Sequence, residues 1–238
     1  MPRPSKNILS TSTIARAALK LVETKGDFTI PGVAAALKVN PSSLYHHLPG
    51  GRSEIVHRMR EELYARIDLA PLVDAGVSPL DRLRTWMREV RAALANAPSV
   101  VTVLVASPVQ DSRTLEIYET LFVILRDAGV PADDRVAFAA MIDAVVLGSA
   151  IDAGSPAPLW RPTPVPESTG ARPAPPLTEL VSVAAHGDDP SRVQKGLDLA
   201  IETVVAAVVK GAATAGVAGA RWDRGDNALR LVLPPAKT

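Results

Sequence analysis

Between Asn40 and Gly51 the sequence reads NPSSLYHHLPGG. Ser42, Ser43, Tyr45, His46 and His47 fall within six positions, with no carboxylate among them. Hydroxyls of this kind donate or accept. The phenol and the imidazoles reach phosphate oxygens, or lay an apolar face on a thymine methyl group. If Asn40 caps a helix and Pro41 opens it, the first-turn N–H groups add an anion site. The chemistry on offer is contact with a polyanion. A metal is not expected at the two histidines, because neighbours on a helix point about 100° apart and no acid stands close by. No nucleophile motif, phosphate-binding glycine loop or His-Glu-x-x-His stands anywhere in the chain, so no catalytic residue is assigned.

Such a segment needs elements to hold it outward. Leu44 and Leu48, four apart, supply one apolar face for a short helix that Pro49-Gly50-Gly51 ends. In front of it, Thr29 caps a second short helix with Pro31 in its first turn, and Val33, Ala34 and Leu37 face inward. A longer helix over about 10–25 precedes both. Ser10 to Thr13 offer caps, Ile14, Ala17, Ala18, Leu21 and Val22 make one stripe, and Gly26 terminates it. Behind the recognition segment a fourth helix is predicted from Ser53 to Ile67, with Ile55, Met59, Leu63 and Ile67 on one side. Two short helices joined by a tight turn and braced by a long one make a helix-turn-helix unit, whose second helix enters the DNA major groove.

Charge agrees with that placement. Residues 1–60 hold nine Lys/Arg against three acids, and the other 178 residues hold 17 against 22. A basic head on an acidic body suits a polyanionic partner, although chance clustering of solvated charge gives the same count. Arg3 and Lys6 precede the first helix and read either as a basic arm along the duplex or as a frayed tail.

The remainder also reads as helices, at 78–97, 98–107, 111–129, 131–154 and 189–216. Hydrophobic residues make up 47% of the chain and aromatics only 4%, a mixture that favours packed helices over sheets. Cysteine is absent, which excludes disulfides and thiolate sites. No apolar run is read as reaching the roughly 18–20 residues of a membrane span, so a soluble, cytoplasmic protein without membrane association is expected. Eight of the 21 prolines crowd into 155–176, an extended insertion, linker or lid. The last stretch, 217–238, forms either a small hairpin about Arg224–Asn227 or a free tail.

With these residues in view, positions 10–67 resemble the TetR family of transcriptional regulators. The resemblance lies in the helix ending at Gly26, in FTIPGVAAALKV, and above all in SSLYHHLPGGRSEI. Leu44, Tyr45, His47 and Leu48 fit the family pattern. Arg52 stands three before Ile55 and matches its basic residue if the loop has gained one glycine. Ile30-Pro31-Gly32 departs from the polar start usual for the preceding helix.

The resemblance implies an all-α fold: a three-helix DNA-binding domain (1–52), then a helical-bundle effector and dimerisation domain (53–216). It implies a homodimer that binds a palindromic double-stranded DNA operator and usually represses, released by a small-molecule effector, with no cofactor. Asn40, Pro41, Ser42, Ser43, Tyr45, His46, His47, Arg52, Arg3, Lys6 and Thr29 are the candidate DNA contacts. Tyr45 and His47 also have structural readings, the latter packed under the fourth helix. The apolar segments 131–154 and 189–212 are the candidate dimer helices, and their small residues (Ala139, Ala140, Ala144, Gly148, Ala200, Ala206, Ala207) permit close approach.

For the effector, Trp86, Met87, Tyr118, Phe122 and Met141 are the large side chains available, each also readable as plain core. Asp143, in the apolar helix, needs a partner: either a ligand or dimer contact, or an arginine from 82–91. Arg82, Arg84, Arg88 and Arg91 read as a solvated ladder. Two other functions fit the same sequence: an effector-independent DNA-binding module, and a helical enzyme whose head only mimics a DNA-binding one.

Overall fold

The computed structural model describes residues 9–154, 191–215, 221–225 and 228–232. Arg3, Lys6 and the proline-rich 155–176 lie outside the described residues.

Helix α1 (Thr11–Lys25) begins where Ser10, extended, exchanges hydrogen bonds with Thr13: Ser10 Oγ accepts the Thr13 N–H at 3.2 Å, and Thr13 Oγ1 accepts the Ser10 N–H at 2.9 Å. The reciprocal cap satisfies donors the helix start leaves orphaned. Gly26, at φ 81°, ends the helix, its N–H donating to Val22 O at 2.8 Å. Helix α2 (Ile30–Leu37) is capped by Thr29, which accepts from the Gly32 N–H at 3.1 Å. Helix α3 (Pro41–His47) follows after a turn in which Lys38 takes φ 57°. Helix α4 (Gly51–Tyr64) runs back beneath them. Ile14, Ala18 and Val22 of α1, Val33 of α2, Leu44 and Leu48, and Ile55 and Met59 of α4 close into a core. Each large side chain fully buried there contributes roughly 1.5–3 kcal/mol.

The body continues with α5 (Ala70–Val73), α6 (Pro79–Ala95), α7 (Pro98–Val105), α8 (Ser112–Asp127), a single 3-10 turn (Ala132–Asp134), α9 (Arg135–Ala153) and α10 (Ser191–Ala215). Helix α9 is central, packing on α6, α7, α8 and α10. Beyond α10, β1 (Arg221–Gly225) and β2 (Ala228–Val232) pair antiparallel from Arg221↔Val232 to Gly225↔Ala228. The hairpin is thus the reading of the tail that the structure takes.

Four expectations need correction. The fourth helix runs Gly51–Tyr64 rather than Ser53–Ile67. Gly51, at φ 60°, starts it early, while Arg113 of α8 bonds the carbonyls of Tyr64 and Ile67 where it has ended. The arginine ladder of α6 is not simply solvated. Arg82 is buried and pairs with Asp127 at 2.9 Å, Arg84 grips both Glu202 oxygens at 2.8 Å, and Arg88 meets Asp198 at 3.2 Å. The ladder therefore ties α6 to α8 and α10, because acids on those helices stand opposite it. Asp143 pairs with none of these arginines. Finally, Ala132–Ala153 is long and apolar enough to cross a membrane by length and composition alone. Asp143 and Asp152 interrupt the apolar run in the sequence.

Helices α9 and α10 meet closely. A Cβ at Gly211 of α10 would lie 2.7 Å from the Phe138 ring of α9, so only glycine admits the ring there. Their inner faces bury Phe138, Ile142, Val146, Ile201 and Val208. The outer face leaves Val136 at 68% and Leu199 at 72% exposure, with Val209 and Ile151 also exposed. Ala144, Gly148, Gly196 and Ala200 line a groove of about 440 Å³ between the two helices.

Candidate nucleic-acid interface and body cavity

Helix α3 is seven residues long and stands on two leucines. Leu44 and Leu48 are buried, whereas Asn40, Pro41, Ser42, Tyr45, His46 and His47 are exposed and Ser43 is half-buried. Asn40 Oδ1 accepts both the Ser42 N–H at 3.0 Å and the Ser42 hydroxyl at 2.9 Å. With its proton held by the cap, the Ser42 oxygen faces out chiefly as an acceptor. Tyr45 is half exposed, and its ring edge lies 3.4 Å from where a Cβ at Gly51 would sit, with Ile30 at 3.5 Å from the same point. Gly51 therefore serves two needs: a positive φ and room beside the tyrosine ring. His47 projects to solvent and is not packed under α4. Among the described residues no group of acids and histidines could hold a metal.

Arg52 stands differently from the expectation. Its guanidinium donates to the Phe28 carbonyl and to Asp27 Oδ1 at 2.7 Å, and lies 4.3 Å above the Phe28 ring. The Arg52 hydrogen bond holds the Asp27 carboxyl below its usual range. The side chain clamps the loop after α1 to the start of α4. Thr29 is exposed but caps α2. Arg16, in contact with Ser12, bridges α1 to Glu62 of α4 at 3.1 Å.

From this head, α4 leads directly into the body. Its buried Arg60 donates to the carbonyls of Leu104 and Ser107 and to Pro108 O at 2.8 Å, and stands 3.9 Å from the buried Asp111 carboxylate. Arg60 thus caps the C-terminal end of α7, while Asp111 caps α8 by accepting the Thr114 N–H at 2.8 Å.

Beside Arg60 opens a cavity of about 190 Å³, walled by Tyr64 of α4, Leu104 of α7, Tyr118 of α8, and Asp143 and Leu147 of α9. The Tyr118 hydroxyl donates to Asp143 Oδ1 at 2.8 Å. Burial raises the Asp143 pKa, and the Tyr118 bond only partly offsets it. Burial and the Asp143 charge push both tyrosine phenols, Tyr64 and Tyr118, well above their ordinary range.

Of the residues singled out for an effector, Tyr118 and Asp143 line this cavity. Trp86 and Met87 are wholly buried core. Trp86 donates to Ile117 O at 3.0 Å and stands edge-on to Tyr118, with centroids 6.1 Å apart at 66°. Phe122 and Met141 are partly buried against the same core. The sequence reading missed Arg60, Tyr64 and Thr114. Arg60 and Tyr64 are four apart on α4, which was a findable signal, but an arginine in a charged helix reads first as surface.

Comparison with known proteins places this geometry. The family described as tetracyclin repressor-like, C-terminal domain, matches residues 78–207, more than half of the chain. The chain belongs to the TetR family. No curated protein matches it significantly. Solved structures of TetR-family proteins share the fold. Apo ActR from Streptomyces coelicolor is 18% identical with a TM-score of 0.67, over 87% of this chain and 98% of that one. The same protein in complex with actinorhodin is 16% identical with a TM-score of 0.65, over 86% and 97%. BioQ with its double-stranded DNA operator is 21% identical with a TM-score of 0.56, over 83% and 99%. The Mycobacterium smegmatis BioQ structure scores 0.59 at 21% identity, over 85% and 99%.

Proposed function

We propose that the protein is a ligand-responsive transcriptional regulator, a repressor, that binds a palindromic operator as a homodimer. The observation that carries the reading is α3, whose two leucines are buried while Ser42, Tyr45, His46 and His47 stand exposed on a helix-turn-helix. That surface suits a major groove: Asn40, Pro41, Ser42 and Ser43 at the helix start approach the backbone and base edges, and Tyr45 and His47 reach phosphates. Thr29, Arg3 and Lys6 would add flanking contacts, and Arg52 would join them only by leaving Asp27. Residues 1–52 would form the DNA-binding domain and 53–216 the effector and dimer domain.

The exposed apolar face of α9 and α10 supports the homodimer. Two copies facing each other there form a four-helix interface and cover Val136, Leu199 and Val209. The cavity beside Arg60 supports the effector. It touches α4, which carries the head, and a ligand that favours a splayed arrangement of the two heads shifts the population away from DNA. ActR with actinorhodin and BioQ on its operator show what this fold accommodates in other proteins.

The test is selection of bound sequences from random duplex DNA at near-physiological salt. Enrichment of a palindrome with half-sites about one turn apart is expected. Recovery of no preferred sequence would reject the reading.

A further inference from the structure

The cavity beside Arg60 carries a definite chemical preference, and the inference rests on the regulator reading above. We propose that this cavity takes a small protonated amine with a compact apolar body, its ammonium held between Asp143, Tyr118 and Thr114. The argument is one of unmatched donors and acceptors.

Arg60, the cation in the wall, is fully engaged at its two terminal nitrogens. These donate to Leu104 O, Ser107 O and Pro108 O and face Asp111. A ligand acid would find no free fork of N–H groups there. Asp143 is in the opposite condition. A carboxylate offers about four acceptor positions, yet among the described residues it receives one hydrogen bond, from Tyr118, and no arginine, lysine or histidine pairs with it. Thr114, 2% exposed and also in the wall, has a buried hydroxyl with no partner. The wall thus holds an under-occupied anion, a phenol oxygen whose proton is turned to that anion, and an orphan hydroxyl. An ammonium, with three donors and no acceptor, complements all three. A carboxylate ligand would meet Asp143 as a like charge.

The site is also preset. Tyr118 is held edge-on by Trp86, whose own N–H is fixed on Ile117 O. The phenol therefore need not be reoriented on binding. Leu94, Leu104 and Leu147 supply an apolar end. A cavity of about 190 Å³ fits one ring and a short chain rather than a polycyclic molecule.

The experiment is calorimetric titration of the full-length protein at neutral pH with three ligands sharing one body: 2-phenylethylamine, 2-phenylethanol and phenylacetate. The expected order is amine tighter than alcohol by at least roughly tenfold, with the acid not measurably bound. Asp143→Asn should erase the advantage of the amine while leaving the alcohol within about twofold. An amine that binds no better than the alcohol, tighter binding of the acid, no binding of any of the three, or an amine advantage that survives Asp143→Asn would each overturn the proposal. Tyr118→Phe, which keeps the ring on Trp86, serves as the second variant and should weaken the amine more than the alcohol. The regulator reading fails separately: an amine that binds as predicted to a protein selecting no DNA sequence supports the site and rejects the regulator.

Discussion

The Arg60 guanidinium lies 3.9 Å from the Asp111 carboxylate, and both side chains are almost entirely withdrawn from water where α4 meets the start of α8. One residue lies on the helix that carries the DNA-binding head, and the other caps a helix of the body. Removing the cation leaves a buried, uncompensated acid and takes a hydrogen bond from each of three carbonyls, of which Leu104 O keeps one from the Ser107 N–H at 3.1 Å. Arg60→Ala should therefore cost about 3–5 kcal/mol in urea denaturation. Asp111→Asn keeps an oxygen to cap α8 and should cost less. A double-mutant cycle with coupling below about 0.5 kcal/mol would show that the two act independently.

Within α3 the two faces should separate in their effects. Leu44→Ala should destabilise the fold by about 2–5 kcal/mol through the cavity it leaves. Tyr45→Ala and His46→Ala should leave the melting temperature nearly unchanged and weaken binding to the selected operator about tenfold each. Fluorescence anisotropy beside thermal melting reads both. Loss of stability in the tyrosine variant with unchanged DNA affinity would mark that ring as structural.

Arg52 offers a sharper division. Because it is engaged by Asp27, Phe28 O and the Phe28 ring, Arg52→Ala should lower stability by about 1 kcal/mol. It should leave the salt dependence of DNA binding unaltered. A salt slope that falls by nearly one would instead count Arg52 as a phosphate contact.

The pH dependence has two opposite parts. The folded-state pKa of Asp143 is raised, so the folded protein holds a proton there that the unfolded chain releases. This contribution weakens stability as pH rises from the ordinary carboxylate value through the raised one, and lowering the pH restores it. Asp143→Asn should accordingly melt higher than the wild type at neutral pH, with the difference shrinking in acid. Asp127, held low by Arg82 and then Arg126, acts the other way. Its stabilisation is present above the unfolded value and is lost as pH falls through the folded one. Melting curves of Asp143→Asn and Asp127→Asn between about pH 3 and 8 should diverge in opposite directions.

The outer face of α9 and α10 should govern assembly. Leu199→Glu and Val136→Glu alter residues that are already exposed in the single chain. Each should keep its helical content, sediment as a monomer and lose operator affinity roughly 100-fold, since two half-sites are no longer held together. A variant that remains dimeric would place the interface elsewhere.

Much of this architecture was visible in the sequence because its punctuation is local. Ser10, Thr29 and Asn40 mark helix starts by side-chain chemistry alone, and each caps the expected helix. Leu44 and Leu48 oriented α3 by spacing. The cavity was not visible because α4 is buried on more than one side. Periodicity selected Ile55 and Met59, which face α1, but gave no reason for Arg60 and Tyr64 to be buried against the body. Nor could spacing reveal that Asp143 would meet a phenol rather than a guanidinium. That choice depends on α8 and α9 lying side by side, while acids from α8 and α10 engage the α6 arginines.

The ring of Phe138 rests against the bare backbone of Gly211. Such a contact works as a ratchet tooth: α9 cannot slide along α10 without driving a ring edge into main chain. The pair therefore moves as one plate. If two copies join through it, the plate is a fixed fulcrum, and α4, tied by Arg60 to the end of α7, is the lever that links it to the reading heads.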